Sequence, residues 1–248
     1  MSSAASFSIQ PAEYRLNRIH ALLAVQSVVV ILLSINRLSS LTTAYVWPNE
    51  FLRWTELNNM LILPLISVIA SYWLKNELQM SPPTSAGDRL WRGVLNVAFL
   101  VGVYLLAASY GTHEVTNYLH IRFCPPEETN QLCQIIRFND DDFSHWVFFT
   151  GFVLINVAIL LLQVICPYRG ALTLRDKVLL IVNALFIGLA IFANLAFEEI
   201  GFDLYVVALL AVLSLGLLWR KSGQPLVIYY SVAYTLGLVA TGVVILLG

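Results

Sequence analysis

Long apolar segments alternate with short polar segments along the whole chain. Each apolar segment is close in length to the roughly 20 residues that an α-helix needs to cross a bilayer. No small-residue cleavage site follows the first segment, which is typical of a span and not of a signal peptide. The pattern predicts an all-α, polytopic membrane protein: a seven-transmembrane helix bundle in which residues 1–248 form one integral-membrane domain. The predicted spans are at about residues 19–36, 54–74, 90–120, 141–166, 174–199, 204–219 and 226–247.

Composition agrees with this class and excludes others. The 248 residues are 58% hydrophobic and 12% charged, whereas a soluble domain carries about 25% charged residues. Lysine and arginine form no basic patch, so nucleic acid is not an expected partner. The expected partners are membrane lipid and a lipidic or membrane-embedded small-molecule substrate. The sequence gives no signal for an oligomeric state.

The charges of the loops predict the orientation of the spans. Ten of the 14 basic residues lie in segments on the side of the N-terminus, and 11 of the 15 acidic residues lie on the other side or in the adjoining helix ends. Because basic residues accumulate on the cytoplasmic side, we predict the N-terminus inside and the C-terminus outside. This orientation places the loop between the third and fourth spans on the extracytoplasmic side.

Polar residues gather at the outer ends of four predicted spans. Three of the four histidines lie between residues 109 and 145. Residues three, four or seven apart share a face of a helix, and helices joined by short loops are usually neighbours. The four ends could therefore direct carboxylates and imidazoles into one cavity. The residues concerned are Glu56 and Asn59, His113, Asn117 and His120, Asp141, Asp142 and His145, and Asn194 and Glu198.

Imidazole and carboxylate groups in a dry site are suitable ligands for Zn²⁺ and for non-haem Fe or Mn ions. A charged side chain deep in the bilayer costs about 2.5–3.5 kcal/mol even on the lenient insertion scale, and a cation would offset that cost. We therefore predict a divalent metal ion, with Zn²⁺ as the first candidate and Fe or Mn as alternatives. The predicted ligands are His113, His145, Glu56, Glu198 and Asp141, and the predicted catalytic residues are Glu114 and Asp142.

Each of these residues also has a structural interpretation. His113 can be a histidine that hydrogen-bonds a neighbouring helix, and His120 lies near the interface, where a solvated and dispensable residue is expected. Asp141 or Asp142 can serve as the N-cap of the fourth span. A functional site is favoured because all of these interpretations would be needed at once, on one side of four neighbouring helices.

The loop between the third and fourth spans holds two cysteines. Cys124 and Cys133 are nine residues apart, and a disulfide between them fits an oxidising outer compartment. The alternative is two unpaired thiols. Cys166, at the inner end of the fourth span, is expected to be a free and buried thiol.

Ser109 and His113 resemble the Ser-x-x-x-His element of the alkaline-ceramidase and progestin-receptor superfamily of seven-span zinc hydrolases. That superfamily also has a late His-x-x-x-His element, whereas here no histidine follows His145. The resemblance covers a few residues and implies only that a seven-span metal hydrolase is a workable design. A rhodopsin is excluded, because the predicted N-terminus is inside and no lysine lies in the middle of a span.

These observations favour a membrane metalloenzyme, a metal-dependent hydrolase of a lipid or membrane-embedded substrate at the outer face. In this hypothesis the metal ion activates water. One alternative is a transporter or channel that uses the same residues as a proton or cation relay. It predicts polar residues that continue to the inner face, where the sequence offers Asn183 and little else. Another alternative is a non-catalytic assembly or binding subunit.

Overall fold

A computed structural model describes residues 12–126, 130–197 and 201–247. Within these ranges there is no strand, and seven helices are long and apolar enough to cross a membrane. The prediction of an all-helical chain with seven such helices is confirmed, and the helices suggest a membrane protein. The helices are α1 (Ala12–Ile35), α2 (Trp54–Leu78), α3 (Ala86–Phe123), α4 (Gln131–Ile165), α5 (Leu174–Phe197), α6 (Phe202–Arg220) and α7 (Pro225–Leu247).

The fourth helix begins earlier than the sequence indicated. It starts at Gln131, and its N-cap is Asn130, whose side chain accepts a hydrogen bond from the Cys133 amide at 2.8 Å. The predicted N-cap at Asp141 or Asp142 is therefore wrong. Both aspartates lie inside a π-helical turn, Phe138–Phe143, in the middle of the continuous helix. Such turns are rare in proteins, and those that do occur are often found at functional sites.

Helices α3 and α4 touch through their backbones. A methyl group added to Gly102 would lie 2.9 Å from the carbonyl oxygen of Gly151, and one added to Gly151 would lie 2.7 Å from that of Gly102. Only glycine permits this approach, and small residues commonly mediate helix contacts in membranes. The contact fixes the distance between the two helices that carry the candidate histidines.

The outside of the bundle is apolar and the centre is formed by α4. Half of the most apolar stretch of α4 is buried, against 22–33% in the other six helices. Large apolar side chains cover the outer surface, for example Leu100 at 67% exposure, Val212 at 71% and Leu246 at 86%. A soluble monomer rarely exposes apolar area on this scale, so this surface is suited to lipid.

A disulfide marks one end of the bundle. Cys124 and Cys133 are bonded, with their Cα atoms 5.5 Å apart, so the predicted bond is confirmed. It closes the loop between α3 and α4. We call this the disulfide end: α1, α3, α5 and α7 finish there, and α2, α4 and α6 begin there. The other is called the opposite end.

Candidate functional site

The candidate site is built around the side chain of Asp140, which lies in the π-helical turn and is completely buried. His120 Nδ1 is 2.9 Å from Asp140 Oδ2, and His113 Nδ1 is 3.1 Å from Asp140 Oδ1. Thr116 and Asn117 make longer hydrogen bonds to the same carboxylate, each of 3.4 Å. All four partners come from one face of α3, because residues three, four and seven apart are in line on a helix. One face of α3 therefore surrounds this carboxylate.

Two imidazole nitrogens of this site have no hydrogen bond among the described residues. His113 Nδ1 is close to Asp140 but is not aligned for a hydrogen bond with it, and the buried His145 Nδ1 also has none. The His113 and His145 rings pack edge to face with their centres 5.0 Å apart. Most buried polar atoms are hydrogen-bonded, so two neighbouring histidines that each carry such a nitrogen are unusual. Imidazole nitrogens are common metal ligands.

Three side chains offer donor atoms at a spacing that a metal ion could use. Donor atoms of His120, Asp140 and Asp141 all lie within 4.8 Å of one another. The side chain of Asp141 is 61% exposed, and one of its oxygens is 3.8 Å from His120 Nδ1. Ligand bonds of about 2.0–2.2 Å place neighbouring donors roughly 3–3.5 Å apart, so these side chains would have to move closer together to bind an ion.

Asp140 is the site residue that sequence reasoning missed, since the predicted ligand in this run was Asp141. The three consecutive aspartates were visible, but the π-helical turn was not. That turn adds a residue to the helical repeat and directs Asp140 to α3. In the structure His120 contacts the buried Asp140 directly, although the sequence suggested a dispensable position at the rim.

Two of the predicted carboxylates are engaged by arginines instead. Glu56 accepts hydrogen bonds from Arg53, and Glu114 accepts one of 2.9 Å from Arg37. Both acids are buried, at 5% and 3% exposure. The bond to Glu56 raises the pKa of Arg53, which precedes α2. Each of these acids is therefore already paired with a cation. Asp142 is exposed, and Glu198 lies outside the described residues.

The histidines open onto a polar cavity, which we call the vestibule, with a volume of about 340 Å³. Its wall includes His113, His145, Glu114, Arg37, Asn59 and Asn194. Asp140, His120 and Asp141 are not part of this wall, so His113 lies between them and the vestibule. The arrangement can therefore place a reactive group at the cavity and hold an ion behind it.

A second cavity, the chamber, continues from the vestibule into the bundle and has a volume of about 280 Å³. The two cavities share the walls formed by Leu33, Tyr110, Phe148, Phe149 and Asn194. Beyond them the chamber is mostly apolar.

Comparison of the chain with protein-family models, with curated proteins and with solved structures finds no match. The site must therefore be interpreted from its own geometry.

Proposed function

We propose that the chain is an integral-membrane metalloenzyme that hydrolyses a lipid or another membrane-embedded substrate at the extracytoplasmic face. The observation that carries the proposal is the fully buried Asp140 carboxylate, shared by two histidines at the edge of a cavity. Ionised groups inside the bilayer are expensive and are by default functional candidates. The disulfide at the same end of the bundle supports an oxidising, extracytoplasmic side for the site.

In this proposal His120, Asp140 and Asp141 hold the ion. Two carboxylates and one imidazole suit Zn²⁺, and they also suit Fe or Mn. The bound ion would supply an activated water molecule for attack on an ester or amide bond. His113 touches Asp140 and lines the vestibule, so it is placed to accept the proton of the attacking water. Glu114 keeps Arg37 in the vestibule wall, where that guanidinium can attract the oxygen atoms of a substrate.

Elemental analysis of the purified, untagged protein tests the metal directly. We expect about one divalent ion per chain, lost from Asp140→Asn and retained in Asp176→Asn, which changes a buried aspartate at the opposite end. A wild-type protein that holds no divalent ion after purification, and that gains no thermal stability when Zn²⁺, Fe²⁺ or Mn²⁺ is added, would contradict the proposal.

A second candidate function is proton- or cation-coupled transport, and one observation favours it. Buried polar contacts continue from the chamber to the opposite end. Gln26 lines the chamber, the neighbouring Ser27 donates a 2.9 Å hydrogen bond to Asn183, and His20 lies 3.2 Å from Asp176. These contacts extend further than the sequence indicated. Proton uptake into vesicles that contain the purified protein, measured with and without a pH gradient, would favour this function over hydrolysis.

A further inference from the structure

The vestibule and the chamber together form one amphipathic cavity. The vestibule carries ionisable groups, whereas beyond its junction at Tyr110 and Phe148 the wall is formed mainly by leucine, valine, isoleucine and aromatic side chains. A ligand that fills both cavities must therefore be polar at the disulfide end and apolar at the other. This is the polarity of a lipid in the leaflet that faces the disulfide end.

The depth of the chamber agrees with one leaflet. Its wall includes Leu23 and Leu33, which are ten residues apart on α1, or about 15 Å along a helix. The hydrocarbon core of a bilayer is about 30 Å thick, so the chamber runs through about half of it. The volume of about 280 Å³ is just below the range of about 300–1,000 Å³ that is usual for small-molecule pockets, so the chamber is suited to one chain and not to two.

Polar side chains in the chamber wall fall into two kinds. Gln26 is satisfied by α2, because its amide donates 2.8 Å hydrogen bonds to the Ser67 carbonyl oxygen and to Ser71 Oγ. Tyr234 is fully buried, and its hydroxyl has no hydrogen bond among the residues the structure describes. Tyr234 lines the chamber and not the vestibule, so isolated polar groups of this kind do not change the apolar character of the chamber wall.

We propose that this cavity binds a single-chain amphiphile, with its oxygen-rich head group in the vestibule beside His113 and its hydrocarbon chain in the chamber. The inference rests on the proposed function, because it makes this amphiphile the substrate of the metal site. The scissile bond then lies in the head group beside His113, which is the vestibule residue that contacts Asp140. The product with the long chain would leave towards the membrane.

Photolabelling of the full-length protein in lipid nanodiscs tests the proposal. The probe is a lysophosphatidylcholine whose acyl chain carries a diazirine, placed either near the head group or at the chain end. We expect the first probe to label the junction at Tyr110 and Phe148, and the second to label the deep wall at Gln26 and Tyr230. Labels that are confined to the lipid-facing surface, or that do not depend on the diazirine position, would overturn it.

A matched pair of variants on α5 gives a second test. Ala190 lines the chamber, whereas Ala193 is exposed on the outside of the bundle. Steric exclusion from an apolar pocket commonly costs tenfold or more, so Ala190→Phe should reduce chain-end labelling at least about tenfold. Ala193→Phe, with the same change in size, should leave it unchanged. Equal labelling of the two variants would overturn the proposal. If Ala190→Phe does not fold, the sites that the two probes label in the wild-type protein decide the question.

Two further results separate this inference from the proposed function. A chamber that is labelled in a protein without a divalent ion would overturn the metalloenzyme but keep the amphiphile site. A metal-loaded protein whose chamber is not labelled would overturn the amphiphile site alone. A two-chain phosphatidylcholine with the same photoreactive chain should label the chamber at least about tenfold less, and equal labelling would contradict a single-chain ligand.

Discussion

Each end of the bundle contains a contact between a histidine and a buried aspartate, and the two contacts differ in kind. At the opposite end, His20 Nε2 lies 3.2 Å from Asp176 Oδ1. The other oxygen of Asp176 accepts hydrogen bonds from the Thr173 amide and hydroxyl, at 2.8 and 2.6 Å. The Asp176 amide in turn donates to Thr173 Oγ1 at 3.2 Å. This reciprocal pair is a capping box at the start of α5, so Asp176 has a structural task.

Asp140 at the disulfide end has no such task. It lies inside a helix and shares its two oxygens between two histidines of α3. The neighbouring cavity is lined by His113 and by His145, whose Nδ1 atom lacks a hydrogen bond among the described residues. The comparison shows that a buried His–Asp contact is not itself a sign of function. What distinguishes the disulfide end is a carboxylate that caps nothing and that contacts His113. His113 and His145 both line the vestibule, and each has an Nδ1 atom without a hydrogen bond among the described residues.

The largest expected effect comes from removing the charge of each aspartate without changing its size. Asp140→Asn should lower metal affinity and hydrolytic activity by roughly 100-fold or more, because the carboxylate is the shared partner of both histidines. Asp176→Asn should cost about 1 kcal/mol of stability or less, because the amide oxygen of asparagine can still accept the hydrogen bonds from the Thr173 amide and hydroxyl. Metal content, turnover of a single-chain lipid ester and thermal unfolding of the two variants check this.

The distinction between the two ends would be wrong if the two aspartate variants had the same effects. Equal loss of activity in Asp140→Asn and Asp176→Asn, with both proteins folded, would mean that the two ends act together, as a transport pathway requires. Unchanged metal content in Asp140→Asn would remove the disulfide end from the metal proposal.

The second expected effect concerns the loop that joins α3 to α4. Replacing Cys124 and Cys133 by serine should lower stability by about 2–3 kcal/mol, because the bond closes a short loop in the unfolded chain. Cys166→Ser is the control: Cys166 is a buried free thiol just after α4, and burial raises its pKa. Denaturant unfolding should therefore show a larger loss of stability in the double variant than in Cys166→Ser. A loss no larger than that of Cys166→Ser would mean that the bond does not stabilise the disulfide end.

The third effect concerns the glycine contact between α3 and α4. Gly151→Ala places a methyl group against the Gly102 carbonyl oxygen, so it should cost about 1–3 kcal/mol of stability. It should also lower metal affinity, because it would shift Asp140 and Asp141 of α4 relative to His120 of α3. Gly216→Ala on α6 is the control, since no other group lies within 4 Å of the added methyl. It should stabilise its helix by up to about 1 kcal/mol. Denaturant unfolding and metal titration compare the two variants. Equal stability and equal metal affinity would show that the close approach of α3 and α4 is not needed.

Much of the fold could be predicted from the sequence, because it depends on patterns that are local in the chain. Helix number follows from apolar length, and the Cys124–Cys133 bond follows from two cysteines in one short loop. The partner of a buried acid is not local. Arg37, beyond the end of α1, binds Glu114 on α3, and no spacing in the sequence indicates that pair. Glu114 was therefore expected to be an available base, whereas it is an ion-paired wall residue.

The geometry of the candidate site followed from the sequence only in part, for the same reason. Helical spacing grouped His113 with Asn117 and His120 on one face of α3, and the structure places that face against a carboxylate. The identity of the carboxylate depends on the π-helical turn, which shifts the register of α4 by a residue and which no residue type specifies. Regular helical geometry therefore favoured Asp141, while the turn buries Asp140.

The smallest expected effect concerns Asp141, and it distinguishes a metal ligand from a residue that acts only through its charge. Asp141 is the exposed member of the His120, Asp140 and Asp141 group, so water can replace its oxygen. Asp141→Asn should therefore lower metal affinity by only about tenfold, or about 1.4 kcal/mol. Glu50→Gln removes the same charge from an exposed site in the loop before α2 and should leave metal affinity unchanged at 0.15 M salt, where the screening length is about 8 Å. Metal titration at low and high salt decides between the two explanations. A loss in both variants that disappears at high salt would mean that Asp141 acts only through the general negative charge of the disulfide end, whereas a salt-independent loss confined to Asp141→Asn identifies it as a ligand.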